Sequence, residues 1–195
     1  ILNNRDKILN KVAGKKDINL EKILLVPHSM GGLPATKFAV SHHAQVDKIM
    51  NLATVGYGTT TLSHMARKFP NGLLPSIRHE LLPALMNGDI EMSPKHLLDE
   101  AKYFGTDVTR PIFEGLSCIR SDVRPRIERL RKLGVGVLYL AFEHDILVAP
   151  DEKVANYVDL HRIMSNAGHL APQRKAPKVV EEINSMIQEY ETAKA

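Results

Sequence analysis

Apolar residues in this chain gather into short strand-like runs separated by stretches of helical spacing. Residues 22–26, 46–53 and 134–142 (GVGVLYLAF) form three such runs, and 160–164 a shorter fourth. Runs of that length, apolar on both sides of a strand, predict strands covered by helices on both faces of a mainly parallel sheet. On this pattern Lys22 to Val26 is read as a buried strand.

The stretches between the runs carry helical signals. Gly31 to His43 predicts a helix that tolerates Pro34 in its first turn. Ser121 to Leu133 sets Val123, Ile127 and Leu130 on one face, with Pro125 early and Gly134 just past the end. Ala176 to Tyr190 aligns Val179, Val180, Ile183, Met186, Ile187 and Tyr190. Ile1, Leu2, Ile8, Leu9 and Val12 recur at helical spacing before Gly14, so the chain opens inside a helical pattern and reads as the remainder of a longer protein.

Residues 58–120 are mostly helical in pattern. Leu73, Leu74, Ile77, Leu81, Leu82, Leu85 and Met86 make one leucine-rich stretch, and Ser93-Pro94 opens another helix that Gly105 closes. This is too long for a simple crossover between strands and predicts a helical cap over the sheet's C-terminal edge. The expected organisation is therefore a core made of 1–57 and 121–195 with a cap at 58–120.

Composition changes this picture little. In 195 residues, 44% hydrophobic and 25% charged, there is enough apolar material for one well-buried core. The net charge of +4 is mild. Arg120, Arg124, Arg126, Arg129, Arg131 and Lys132 cluster, but Asp122 and Glu128 stand among them, so a solvated helix face is expected rather than a nucleic-acid patch. No apolar run is long enough for a membrane span. The single cysteine, Cys118, cannot form an intramolecular disulfide and points to a reducing, cytoplasmic compartment.

Candidate chemistry concentrates where runs end. LLVPHSMGG (residues 24–32) places Ser29 between a strand and a helix, as in the G-x-S-x-G turn that exposes a nucleophile, with Pro27 in place of the first glycine. Gly31 and Gly32 supply the small residues that such a crowded turn needs, and the following helix points its N-terminal N–H groups at a developing oxyanion. A helix N-cap is the alternative reading of Ser29 alone. Asp145 follows the third strand in AFEHDILVAP, where an open parallel sheet presents functional carboxylates. Glu143, nearer the strand, is the competing carboxylate and is expected to fall short of the site. His169 lies in SNAGHLAP, in a loop before the last helix, beside a permissive Gly168.

The other histidines have simpler readings. His42, His43, His64, His79 and His96 are taken as surface or cap residues, His144 as a neighbour of Asp145, and His161 as a strand residue. No set has the setting of a metal site, and no glycine-rich dinucleotide loop occurs, so neither metal nor cofactor is expected. Ser29, Asp145 and His169 each follow a separate predicted strand, in the order used by α/β-hydrolases.

VPHSMGG, VLYLAFEHDILVAP and NAGHLAPQRKAP together resemble the α/β-hydrolase superfamily, specifically its capped esterase-like and lipase-like enzymes. The resemblance runs along nearly the whole chain and is least specific over 58–120. It implies Ser29 as nucleophile, Asp145 as acid, His169 as base and the Met30 backbone N–H as one oxyanion donor, with Pro27, His28, Gly31 and Gly32 supporting the turn. It implies hydrolysis of a carboxylic ester or related acyl compound with a small hydrophobic group and no cofactor. Carbon–carbon bond hydrolysis, perhydrolysis, or ligand binding with little turnover are the alternatives. Two departures accompany it. Pro27 adds bulk where glycine is usual, and the early family strands, with the loop giving the second oxyanion donor, have no counterpart before residue 22. The chain is therefore expected to be a fragment, active in the complete protein and nearly inactive alone.

Overall fold

A computed structural model of the chain describes residues 22–57, 120–145 and 148–195. In chain order these form β1 (Ile23–Leu25), a 3₁₀ turn (Ser29–Gly31), α1 (Gly32–Ser41), β2 (Val46–Leu52), α2 (Arg124–Lys132) and β3 (Gly136–Phe142). A second 3₁₀ turn (Glu152–Asn156), β4 (Leu160–Met164), α3 (Ala171–Arg174) and α4 (Ala176–Lys194) complete them. The expected cap at 58–120 and the opening helical pattern lie outside the described residues.

The four strands form one parallel sheet in the order β1-β2-β3-β4. Register follows from side-chain alternation. In β3, Leu138, Leu140 and Phe142 join one apolar cluster, while Val137, Tyr139 and Ala141 join the other. All seven residues of β3 are buried, which explains why its sequence lacks polar positions. One cluster packs beneath α4 through Val179, Met186 and Tyr190, and the other beneath α2 through Ile127 and Leu130. Helices thus cover both faces, as the apolar runs predict.

Two details differ from the sequence pattern. β1 is not a buried strand: it pairs only with β2 among the described residues, and Leu24 and Val26 are 40% and 45% exposed. An apolar run cannot distinguish an edge strand from a central one, because both carry β-forming residues. On α4, Val180 is 52% exposed, outside the buried stripe that its spacing predicts for it. It lies about 100° around the helix from Val179, at the rim of the apolar face.

The basic cluster of α2 is a solvated face. Arg124 pairs with Asp122 at 2.8 Å, Arg131 with Asp159 at 2.7 Å, and Lys132 with Glu128 at 2.7 Å. No helix among the described residues is long and apolar enough to cross a membrane.

Candidate active site

The chain leaves β1 extended, with His28 bridging to Leu52 of β2 and the Leu52 N–H donating to the Pro27 carbonyl at 2.9 Å. It then reverses sharply. Ser29 has φ +54°, in the left-handed region, and the Gly31 N–H donates to the His28 carbonyl at 2.9 Å to close the turn. A non-glycine residue held there carries strain of about 1–3 kcal/mol, which the surrounding structure must sustain. The chain turns here from strand to helix, and α1 begins three residues later.

The two glycines after the serine have different reasons to be small. A Cβ on Gly31 would lie 3.9 Å from Pro27 Cβ, an ordinary contact. Pro27 is buried yet leaves that space, so its ring fits the turn without forcing glycine at 31. A Cβ on Gly32 would fall 2.6 Å from Thr54 Cβ. Gly32 therefore lets the start of α1 sit directly on the segment that follows β2.

Asp145 lies just beyond β3, with its N–H donating to the Phe142 carbonyl at 3.1 Å. Its side chain is fully buried. One carboxylate oxygen accepts the Val148 N–H at 2.8 Å, and the other faces His169 Nδ1 at 2.7 Å. On the far side of the imidazole, Nε2 is 2.9 Å from Ser29 Oγ. The carboxylate only accepts, so Nδ1 carries the proton and Nε2 accepts from the hydroxyl. Three side chains that follow three parallel strands are thus joined in one hydrogen-bonded line. An imidazole held in this tautomer can take a proton from the hydroxyl while the buried carboxylate stabilises the resulting charge.

The loop carrying His169 is pinned from several sides. The His144 N–H donates to the Ala167 carbonyl at 2.8 Å, and the Asn166 N–H to the Glu143 carboxylate at 2.8 Å. The Lys175 ammonium donates to the Asn166 carbonyl. Glu143 thus stays out of the line, as expected, but it holds the loop. Its position at the end of an apolar strand was the only sequence signal for this role.

His28 contributes more than turn support. Its ring lies 4.7 Å from the His169 ring, tilted by 38°, and 6.4 Å from Phe142. Burial, with repulsion from His169 next in size, holds its pKa below the ordinary histidine value.

The remaining histidines stand apart. His42 and His43 bond to carbonyls at the end of α1, the His144 ring is exposed beside Glu143, and His161 lies on β4 against Tyr139. His64, His79 and His96 lie outside the described residues. Among the described residues no group of three His, Cys, Asp or Glu side chains is arranged to hold a metal. Met30, 45% exposed, follows Ser29 within the first turn, where N–H groups lack an intrahelical acceptor.

No protein-family model and no curated protein matches the sequence. Solved structures do resemble the chain. A bromoperoxidase from Bacillus anthracis is similar with a TM-score of 0.57 at 12% identity, over 94% of this chain and 71% of that one. A lipase-esterase related protein from Clostridium acetobutylicum gives 0.55 at 18% identity, over 93% and 73%. A meta-cleavage product hydrolase gives 0.56 at 15% identity, over 93% and 68%. With a parallel sheet covered on both faces and an elbow at the end of β1, these likenesses give the chain the α/β-hydrolase fold.

Proposed function

We propose that the protein is a serine hydrolase that cleaves a carboxylic ester or related acyl compound. The observation that carries this reading is the line Ser29–His169–Asp145, with both contacts of the imidazole within hydrogen-bond distance. His169 Nε2 takes the hydroxyl proton as Ser29 Oγ attacks the substrate carbonyl. The oxyanion is held by the Met30 N–H. His169 then protonates the leaving alcohol, and an acyl group remains on Ser29. Water, deprotonated by the same imidazole, attacks that ester, and the acid departs with Ser29 reprotonated.

Asp145 contributes by holding the tautomer. Its second oxygen is occupied by the Val148 N–H, so the carboxylate cannot swing away from Nδ1 without abandoning a buried bond. The leucine-rich stretch within 58–120 is proposed as part of a cap that shapes an apolar acyl pocket. The likeness to a lipase-esterase related protein supports ester chemistry.

A second reading, carbon–carbon bond hydrolysis, draws on the likeness to a meta-cleavage product hydrolase. The two separate on substrate. Full-length protein should hydrolyse short p-nitrophenyl esters and leave vinylogous diketones intact, with Ser29→Ala losing the activity. Cleavage of the diketone with slow ester turnover would reverse the assignment, and ester turnover undiminished in Ser29→Ala would remove the triad from the reaction.

A further inference from the structure

His28 joins two parts of the site. Its backbone belongs to the elbow, through the bridge to Leu52 and the carbonyl that closes the turn. Its side chain belongs to the other half of the site, with its ring 4.7 Å from the His169 ring and Phe142 behind it. One residue therefore spans the covalent frame of Ser29 and the imidazole of His169.

The Nε2 atom of His28 is buried and has no hydrogen-bond partner. A buried N–H without an acceptor costs more than a buried lone pair, so Nε2 is the unprotonated nitrogen and Nδ1 carries the proton. The ring is then neutral, with a flat face against His169. Neutrality matters, because a cation there would repel the imidazolium that His169 forms when it accepts the Ser29 proton. Asp145 is the other charged group acting on it.

We propose that His28 is a positioning residue for His169: a neutral aromatic strut that sets the height and tilt of the imidazole above Ser29. It touches no reacting atom and acts only through the imidazole it supports. The 2.9 Å contact between His169 Nε2 and Ser29 Oγ is the distance that depends on it. This inference rests on the proposed hydrolase chemistry for its kinetic consequences, although the geometry it claims can be read without turnover.

The test uses the full-length protein and short p-nitrophenyl esters. His28→Ala removes the strut and should lower kcat by about 10-fold or more with KM nearly unchanged, since misplacing a catalytic group by a fraction of an ångström has costs of this order. His28→Phe keeps the flat face and should recover most of that loss. In a His169→Ala background, His28→Ala should have no further effect, because the residue it positions is gone. A His28→Ala protein that is folded and fully active, a loss carried by KM, a Phe variant no better than Ala, or an undiminished penalty in the His169→Ala background would each overturn the proposal.

A spectroscopic measurement separates this from failure of the hydrolase reading. The proton shared between His169 Nδ1 and Asp145 should give a far-downfield NMR resonance in the wild-type protein and in His28→Phe, and should exchange away in His28→Ala. Its persistence in His28→Ala would sink the strut even if the protein proves to act on something other than an ester. Its loss in His28→Ala, in a protein inert to esters, would sustain the strut and reject the substrate class.

Discussion

Replacing Gly32 with alanine asks whether the elbow depends on close contact between the start of α1 and the segment after β2. The backbone itself favours the change. Gly32 has φ −60° and ψ −33°, helical values, and alanine in a helix is better than glycine by about 1 kcal/mol. The space does not. The new Cβ would meet Thr54 Cβ at 2.6 Å, Thr54 Cγ2 at 2.8 Å and Thr54 Oγ1 at 3.2 Å. Rotating χ1 of Thr54 cannot relieve the first contact, because Cβ is fixed by the backbone. Thr54 is also 1% exposed and has no room to retreat. The helix start must therefore move, and overpacking of this kind costs about 1–3 kcal/mol. The clash exceeds the propensity gain, so net destabilisation is expected, read as a melting temperature lower by about 2–4 °C per kcal/mol. Because Ser29 sits three residues upstream, the shift should also cut turnover by an order of magnitude or more. Gly31→Ala is the internal control: its Cβ would meet only Pro27 Cβ at 3.9 Å, and φ is −57°. It should leave stability within about 0.5 kcal/mol. Thr54→Gly, which removes all three clashing atoms, should restore part of what Gly32→Ala loses. Urea titrations of the four proteins decide the matter. Equal stability of Gly32→Ala and wild type would refute the packing argument.

Other predictions concern the same site and its neighbours. Asp145→Asn should lower kcat by about 10³–10⁴, since an amide can hold the imidazole in the wrong tautomer, with little change in fold by circular dichroism. Pro27→Gly restores the usual glycine; it should leave turnover within a few fold and lower the urea midpoint, because glycine enlarges the freedom of the unfolded chain by about 0.4–1 kcal/mol. His28 and His161 both have pKa values held below the ordinary 6.5, chiefly by burial. The unfolded chain therefore binds more protons than the folded one just below that value, and stability should fall as pH drops from 6.5 toward the lowered folded values. His161→Gln should flatten that slope in urea midpoints measured from about pH 7.5 downward. An unchanged slope would mean that His161 does not titrate differently on folding.

The sheet and the line of three side chains were legible for a shared physical reason. A strand buried on both faces must be apolar at nearly every position, so β3 announces itself as GVGVLYLAF, and a parallel sheet delivers its functional residues just past such runs. Ser29, Asp145 and His169 each stand at one of those ends. What stayed hidden depends on partners far away in the chain. Nothing local separates Gly31 from Gly32, because the difference is the Thr54 side chain. Leu24 and Val26 are as apolar as core residues, and their run by itself does not reveal their exposure. Glu143 reads as a competing carboxylate and His28 as support for the turn, and their contacts with the His169 loop depend on residues far along the chain.

The central claim is that Ser29 is an activated nucleophile, and a fluorophosphonate probe tests it without knowledge of the substrate. Attack by Ser29 Oγ on phosphorus expels fluoride and leaves a stable phosphonyl ester. The full-length protein should gain the mass of one probe less HF on the peptide containing VPHSMGG. Ser29→Ala should gain none, and His169→Ala should react orders of magnitude more slowly. Labelling at another residue, or no labelling of a folded full-length protein, would contradict the account.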